Sequence, residues 1–241
     1  MKFIDLQVTS TVTSEIEELL TFGAELGYAG IGLVFNRLSV EDAKKAEKIA
    51  KNLGIDLITR IDIIPRDPEE LLNILKKTRL KYEVVAVTCL NQKVAKQAAK
   101  DHRVDLLDFP VSGRPFFDEP TAQLASNSNV ALELNISEII MNTGSQRVMT
   151  ISKLRREVRI ARQFKIPVIL STGSRNIYDF RGPKEIIAIA SIVGLTQRDA
   201  TEALSTVPLK IVNTNRKKLS PDYVQGASLI ERGKGFACKR E

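Results

Sequence analysis

Histidine is nearly missing from this chain: there is one, with two cysteines and no tryptophan, in 241 residues. Each scarcity excludes something. A disulfide framework needs a larger and regularly spaced set of cysteines, and Cys89 and Cys238 stand far apart with no metal-ligand spacing, so the chain suits a reducing compartment, the cytoplasm. Metal-dependent hydrolysis draws on several histidines and carboxylates converging at strand ends, and a single imidazole supplies little of such a set. The same shortage leaves few bases to activate a nucleophile, and no serine or cysteine stands in a Gly-x-Ser-x-Gly elbow. Long apolar runs are missing as well. No window approaches the roughly 18 consecutive apolar residues of a membrane span, and Met1-Lys2-Phe3-Ile4-Asp5 opens without the apolar core of a signal peptide. The expectation is a soluble intracellular protein. Sequence-reading RNA modules are absent too: there is no ribonucleoprotein sheet motif, no Gly-x-x-Gly clamp and no zinc knuckle.

What is present is positive charge and a recurring pattern. Lys and Arg total 36 against 29 Asp and Glu, and the net charge of +7 favours an anionic partner, the plain alternative being a solvated surface. Hydrophobic residues make up 43% of the chain, enough for one sizeable core in a single domain over 1–212. Short runs rich in Val, Ile and Leu predict strands over 3–8, 30–34, 56–63, 83–87, 104–108, 130–134, 167–170 and 208–212. They are apolar almost throughout, as strands covered on both faces are, so the predicted sheet is parallel. Between them the period becomes helical over 13–26, 40–52, 68–80, 92–100, 146–164, 183–193 and 197–204, several of these runs following an N-cap Ser, Thr or Asp. Eight strand runs predict an α/β fold closed as a barrel. The stretch 109–142, with Pro110, Gly113, Pro115 and Pro120, predicts an irregular connection. Beyond it all, 213–241 reads as a basic C-terminal extension, open to disorder in isolation.

Several residues carry chemistry, each with a plainer reading beside it. Asp5, Asp62, Asp108 and Glu133 sit at or near strand ends and could assemble a carboxylate-only magnesium site. Against this, Asp5 and Asp62 lie within apolar runs, where a buried acid paired with Arg60 or another base is the commoner role. His102 reads as a polar residue at a helix end. Lys210, at the last predicted strand, suits a Schiff base in principle and a surface or RNA-facing charge more readily. Ser171, Thr172, Gly173, Ser174 and Arg175 follow a strand with the hydroxyls, freed amides and guanidinium that hold a phosphate, or simply form a turn. The strongest electrostatic feature is 147–165, where Arg147, Lys153, Arg155, Arg156, Arg159, Arg162 and Lys165 face one acid, Glu157. With Ile151, Leu154, Val158 and Ala161 inward, Arg155, Arg159 and Arg162 line one flank, a repulsive spacing that an anion would relieve. Phe116 and Phe117 could stack on unpaired bases or, more plainly, anchor their loop.

Taken together, Phe3-Ile4-Asp5-Leu6, Gly27-Tyr28-Ala29-Gly30-Ile31-Gly32, Arg60-Ile61-Asp62-Ile63 and Asp105-Leu106-Leu107-Asp108-Phe109-Pro110 form an opening pattern that continues in Leu170-Ser171-Thr172-Gly173-Ser174, Arg181-Gly182-Pro183 and Ile192-Val193-Gly194-Leu195-Thr196. This pattern resembles, over nearly the whole chain, the archaeal ribonuclease P protein component 3, the thirty-kilodalton subunit shared with eukaryotes. The resemblance implies a distorted TIM-like (β/α) barrel, akin to the polymerase and histidinol phosphatase barrels but without their metal ligands. Where those begin with His-x-His, this chain has Asp5-Leu6-Gln7. It further implies a role in removing the 5′ leader of precursor tRNA, with hydrolysis performed by the RNA subunit and its magnesium, no cofactor on this chain, and a smaller protein partner, component 2, in a heterodimer or heterotetramer. On that footing the expected RNA contacts are Arg60, Arg114, Arg175 and Arg181 at the C-terminal rim, with Arg155, Arg159, Arg162 and Lys210. The alternatives are a stand-alone enzyme on a phosphorylated small molecule, in which the Ser171 to Arg175 loop grips the phosphate and Lys210 or an acid does the chemistry, and an RNA-independent protein scaffold.

Overall fold

The structure is a computed structural model, and it describes residues 1–10, 13–35, 40–110 and 116–220. Arg114, Cys238 and the extension from 221 onward therefore lie outside the described residues. Among the described residues, seven strands form one parallel sheet in the order of the sequence: β1 (Phe3–Val8), β2 (Tyr28–Val34), β3 (Asp56–Ile63), β4 (Val84–Thr88), β5 (Leu106–Asp108), β6 (Ala131–Asn135) and β7 (Val168–Ser171). Strict sequential order with parallel pairing leaves β1 and β7 as the two edges, and the sheet curls until they approach. A parallel bridge between Val8 and Ser174 and the bond from the Thr9 amide to the Ser174 carbonyl (2.9 Å) join them just beyond the strand ends. The result is a nearly closed, distorted TIM-like barrel, as expected, with seven strands in place of eight.

Helices cover its outside: α1 (Thr13–Glu25), α2 (Val40–Leu53), α3 (Pro68–Thr78), α4 (Gln92–Ala99), α5 (Glu119–Ser128), α6 (Ser137–Met141), α7 (Gly144–Gln163), α8 (Pro183–Ile192), α9 (Gln197–Ala203) and α10 (Thr206–Leu219). Two of the sequence expectations fail here for identifiable reasons. The stretch 109–142 holds α5 and α6, because Pro120 starts a helix instead of breaking one. It falls in the first turn, where its missing N–H is not needed, behind the N-cap Asp118, which accepts from the Thr121 amide at 2.9 Å. The run 208–212 is helix α10 and not a strand. Pro208, Val212 and Asn215 are its buried positions, at helical spacing, and Pro208 again sits in the first turn. A short apolar run such as Val-Pro-Leu-Lys-Ile-Val satisfies either period.

This helix closes the barrel's N-terminal end. Inward side chains from six of the strands (Ile4, Leu6, Ile58, Val84, Ala86, Leu106, Ala131 and Ile169) form an interior cluster with Val212, and Val207, Leu209 and Ile211 pack against it. At the same end, Arg216 of α10 forks onto Asp56 at 2.8 and 2.7 Å and reaches Glu83 as well. Asn215 donates to the Glu83 carbonyl (2.8 Å) and to Asp105 (2.9 Å). The body therefore runs through 212 to Leu219. Gly32 lets β1 and β2 approach, since a Cβ there would lie 2.4 Å from the Leu6 carbonyl oxygen.

Candidate functional site

The apolar plug at one end of the barrel gives way to charge in the middle. On β3 the inward residues are Ile58, Arg60 and Asp62. Arg60 is fully buried, with a two-pronged contact to Glu133 of β6 (2.6 Å at each nitrogen), a bond from Nε to Asp62 (2.6 Å) and one to the Leu6 carbonyl (3.0 Å). Burial opposes its charge, but Asp62 and Glu133 more than offset that and hold the guanidinium above the ordinary arginine value. Arg60 is therefore a strut of the barrel interior, and its expected place on an RNA-facing rim is corrected: no phosphate can reach it. The alternative role for Asp62, pairing with Arg60, is what the structure has.

Nearer the C-terminal mouth, a pocket of about 620 Å³ is lined by Gln7, Glu15, Asp62, Thr88, Asp108, Asn135, Glu138 and Arg175, among others. Four acids and one arginine line it, and even with Asp62 paired to Arg60 the mouth has no excess of positive charge to seat a phosphate. Burial, reinforced by repulsion from Glu133, pushes the Asp108 carboxyl up to about 7, and Thr88 donates to it at 3.2 Å. Asp5 is buried and, mainly through desolvation, raised to about 6. Among the described residues, no group of three or more His, Cys, Asp and Glu side chains is placed to hold a metal ion.

The Ser171 to Ser174 loop does something other than grip phosphate. Ser171, Thr172 and Ser174 are buried. The Thr172 hydroxyl and amide donate to Asp5 on β1, the Ser174 hydroxyl donates to Thr172 (2.7 Å), and the Ser171 hydroxyl donates to Gln7 (3.2 Å). Gly173 takes a φ of 64°, and a Cβ there would overlap the Asn135 side chain. These residues are the latch between β7 and β1, which is the turn reading and not the phosphate one. Lys210, on α10, stands at the opposite end of the barrel, so it cannot share a site with this loop. That separation removes Lys210 from the phosphorylated-substrate alternative, and the acid that touches the loop, Asp5, is spent in the latch.

Helix α7 carries a row of exposed arginines. Leu154, Val158, Ile160 and Ala161 point inward, and Arg155, Arg156, Arg159 and Arg162 are exposed, as the spacing predicts. Lys153 departs from that pattern: it is buried, donates to the Phe109 and Pro110 carbonyls at 2.6 Å each, and lies 3.7 Å from Glu157. Burial pushes the Glu157 carboxyl up to about 8 despite that lysine. Part of the repulsion along the arginine flank is relieved from inside the molecule. Arg155 donates to the Ile192 carbonyl (2.8 Å) and Arg162 to the Gly194 carbonyl (2.9 Å), at the electronegative end of α8, with Asp199 3.6 Å from Arg162. Arg159, between them, makes no such bond among the described residues. Phe117 is buried against Phe109 and anchors its segment, while Phe116 is exposed beneath the Arg156 guanidinium, 5.3 Å from its ring centre.

The remaining predicted cations scatter. Arg175 is exposed at the mouth. Arg181 lies away from it, bonded to the Tyr178 and Phe180 carbonyls, and its own carbonyl accepts from Tyr28, the first residue of β2. The predicted set thus does not form one rim. At the barrel's N-terminal end, Lys210 joins two residues not predicted as contacts, His102 and Lys218, around a groove of about 500 Å³. The signal for Lys218 was available: it lies two turns beyond Lys210 on the same helix.

A family model described as RNase P subunit p30 matches residues 2–220. A ribonuclease P protein component 3 from Methanococcoides burtonii is 31% identical over 217 residues, covering 89% of this chain and 88% of the relative. One from Methanosarcina mazei is 29% identical over 218 residues, covering 90% of each. Among solved structures, a chain in the cryo-EM structure of archaeal ribonuclease P with mature tRNA shares the fold with a TM-score of 0.81, at 24% identity over 97% of this chain and 100% of that one.

Proposed function

The chain belongs to the RNase P subunit p30 family, and on that premise we propose that it serves as a protein subunit of ribonuclease P, the ribonucleoprotein that removes the 5′ leader of precursor tRNA. In this reading it binds and stabilises the catalytic RNA in the cytoplasm together with the smaller component 2 protein, as a heterodimer or a pair of heterodimers. It does no chemistry itself, and magnesium belongs to the RNA.

The observation that carries the reading is the division of charge. Inside the barrel, toward the end where enzymes of this fold place their reacting groups, Arg60 holds both Glu133 and Asp62, and Asp5 is bound into the β7 seam. Solvent-facing cations are on the outer helices, and on α7 Arg155, Arg159 and Arg162 form a basic flank suited to a phosphate backbone.

The test is cleavage of precursor tRNA at low magnesium by the cognate RNA subunit and component 2, with and without this protein, beside this protein alone. Rescue only in the full mixture is the expected result. Turnover by the isolated chain, or no effect on the RNA-containing mixture, would overturn it.

A further inference from the structure

We propose that RNA lies against the N-terminal end of the barrel, in the groove bounded by α10 and the turns that enter β5, β6 and β7, with Lys210 and Lys218 on its phosphates. This rests on the reading of the chain as a ribonuclease P subunit and adds the place where the RNA sits.

The groove's volume of about 500 Å³ falls within the roughly 300–1,000 Å³ of ligand pockets. One wall is α10, which presents Thr206, Lys210, Thr214 and Lys218, each one turn from the last. His102 and Asn129 stand on the other wall, in the turns before β5 and β6. The acid in the floor, Asp105, is already engaged: Arg79 reaches it at 2.8 Å, and the Val85 amide and Asn215 donate to it at 2.9 Å each. Arg216 is turned away to Asp56 and Glu83. The charge left facing the groove is positive, and hydroxyl and amide groups stand beside it to bond a ribose or a base edge.

A second observation extends the surface. Helix α7 runs back from the mouth to the N-terminal end, and its last basic residue, Arg162, together with Lys165 just beyond the helix, lines a hollow that shares Pro167 and Val207 with the groove. The acids of that hollow are also engaged, Asp199 with Arg162 (3.6 Å) and Glu202 with Arg198 (2.9 Å). The arginine flank of α7 and the lysines of α10 therefore form two stretches of a basic track that meet at this charge-balanced hollow, at the end of the barrel opposite the acids of the mouth. A polyanion that follows the α7 flank is led into the groove and away from the mouth.

The experiment is binding of the full chain to its labelled cognate ribonuclease P RNA by fluorescence anisotropy over a KCl series. It compares wild type, Lys210→Gln/Lys218→Gln, and a Lys44→Gln/Lys48→Gln variant of equal net charge on the exposed face of α2. The slope of log affinity against log salt is expected to flatten by about 0.7 to 0.9 per lysine lost from the groove and to stay unchanged in the α2 variant, with equal thermal midpoints for all three. A wild-type slope in the groove variant, or equal flattening in both variants, overturns the placement. Absence of binding by wild type, with component 2 present as well as without it, overturns instead the subunit reading beneath it.

Discussion

Replacing Arg60 with Met tests whether the charged centre of the barrel is structural. Arg60 and Glu133 have no exposed side-chain surface, and the arginine supplies both bonds to Glu133, one to Asp62 and one to the Leu6 carbonyl. Methionine fills much of the volume and returns none of these bonds. What remains is a buried carboxylate without its cation beside a second acid, the situation in which breaking an ion pair costs about 3 to 5 kcal/mol. For a domain of this size that corresponds to a fall of roughly 6 to 20 °C in Tm. Arg60→Met with Glu133→Leu removes both charges and should regain a large part of the loss. Urea and thermal unfolding followed by circular dichroism measure both variants. RNA binding of the folded Arg60→Met protein should keep the wild-type salt slope, because the guanidinium never meets solvent. Unchanged stability combined with a flattened slope would refute the reasoning and return Arg60 to the RNA surface.

Val212→Ala should cost about 2 kcal/mol in urea unfolding, from about 0.8 kcal/mol per buried methylene plus the cavity left under α10; a change near zero would mean that α10 does not plug the barrel. Thr172→Val leaves Asp5 without its hydroxyl donor and should cost about 1 to 3 kcal/mol, with faster hydrogen exchange at the Thr9 amide; wild-type exchange there would show that the latch lies elsewhere. Asp108 is held near 7 in the folded chain, mainly by burial, against an ordinary value of 3.8. The folded state therefore keeps a proton that the unfolded state loses first, and stability falls as pH rises from the unfolded value through about 7. Asp108→Asn should flatten that fall, so the variant gains on wild type more at pH above this window than below it; parallel stability curves would contradict the assignment.

How much of this was legible depended on whether a residue's surroundings were local. The strands over 3–8 and 56–63 and the outward arginines of α7 could be read directly, because each follows from spacing along one element. Lys153 shares its helix with those arginines yet points inward, and what holds it are carbonyls at 109 and 110, some forty residues earlier. Arg60 is the same case at longer range: it was expected on the RNA-facing rim, and only the closing of the sheet brings Glu133 across the interior to meet it. The hydroxyl-rich loop after β7 misled for a related reason. Hydroxyls and a glycine after a strand suit a phosphate in the abstract, whereas a barrel of seven parallel strands leaves two edges to be joined, and Thr172 and Ser174 are spent on that closure.

The helix that the sequence disguised as a strand has the largest consequence. A final strand at 208–212 would have carried Lys210 toward the mouth, in line with Arg175, and the RNA with it. As helix α10 the same run crosses the other end, buries Pro208 and Val212, and turns Lys210 and Lys218 out beside the C-terminal end of α7. The apolar pattern that plugs the barrel is thus the one that presents the lysines. A single helix closes the core and completes the basic track, so the end of the barrel that is best packed is also the end best charged to receive a phosphate backbone.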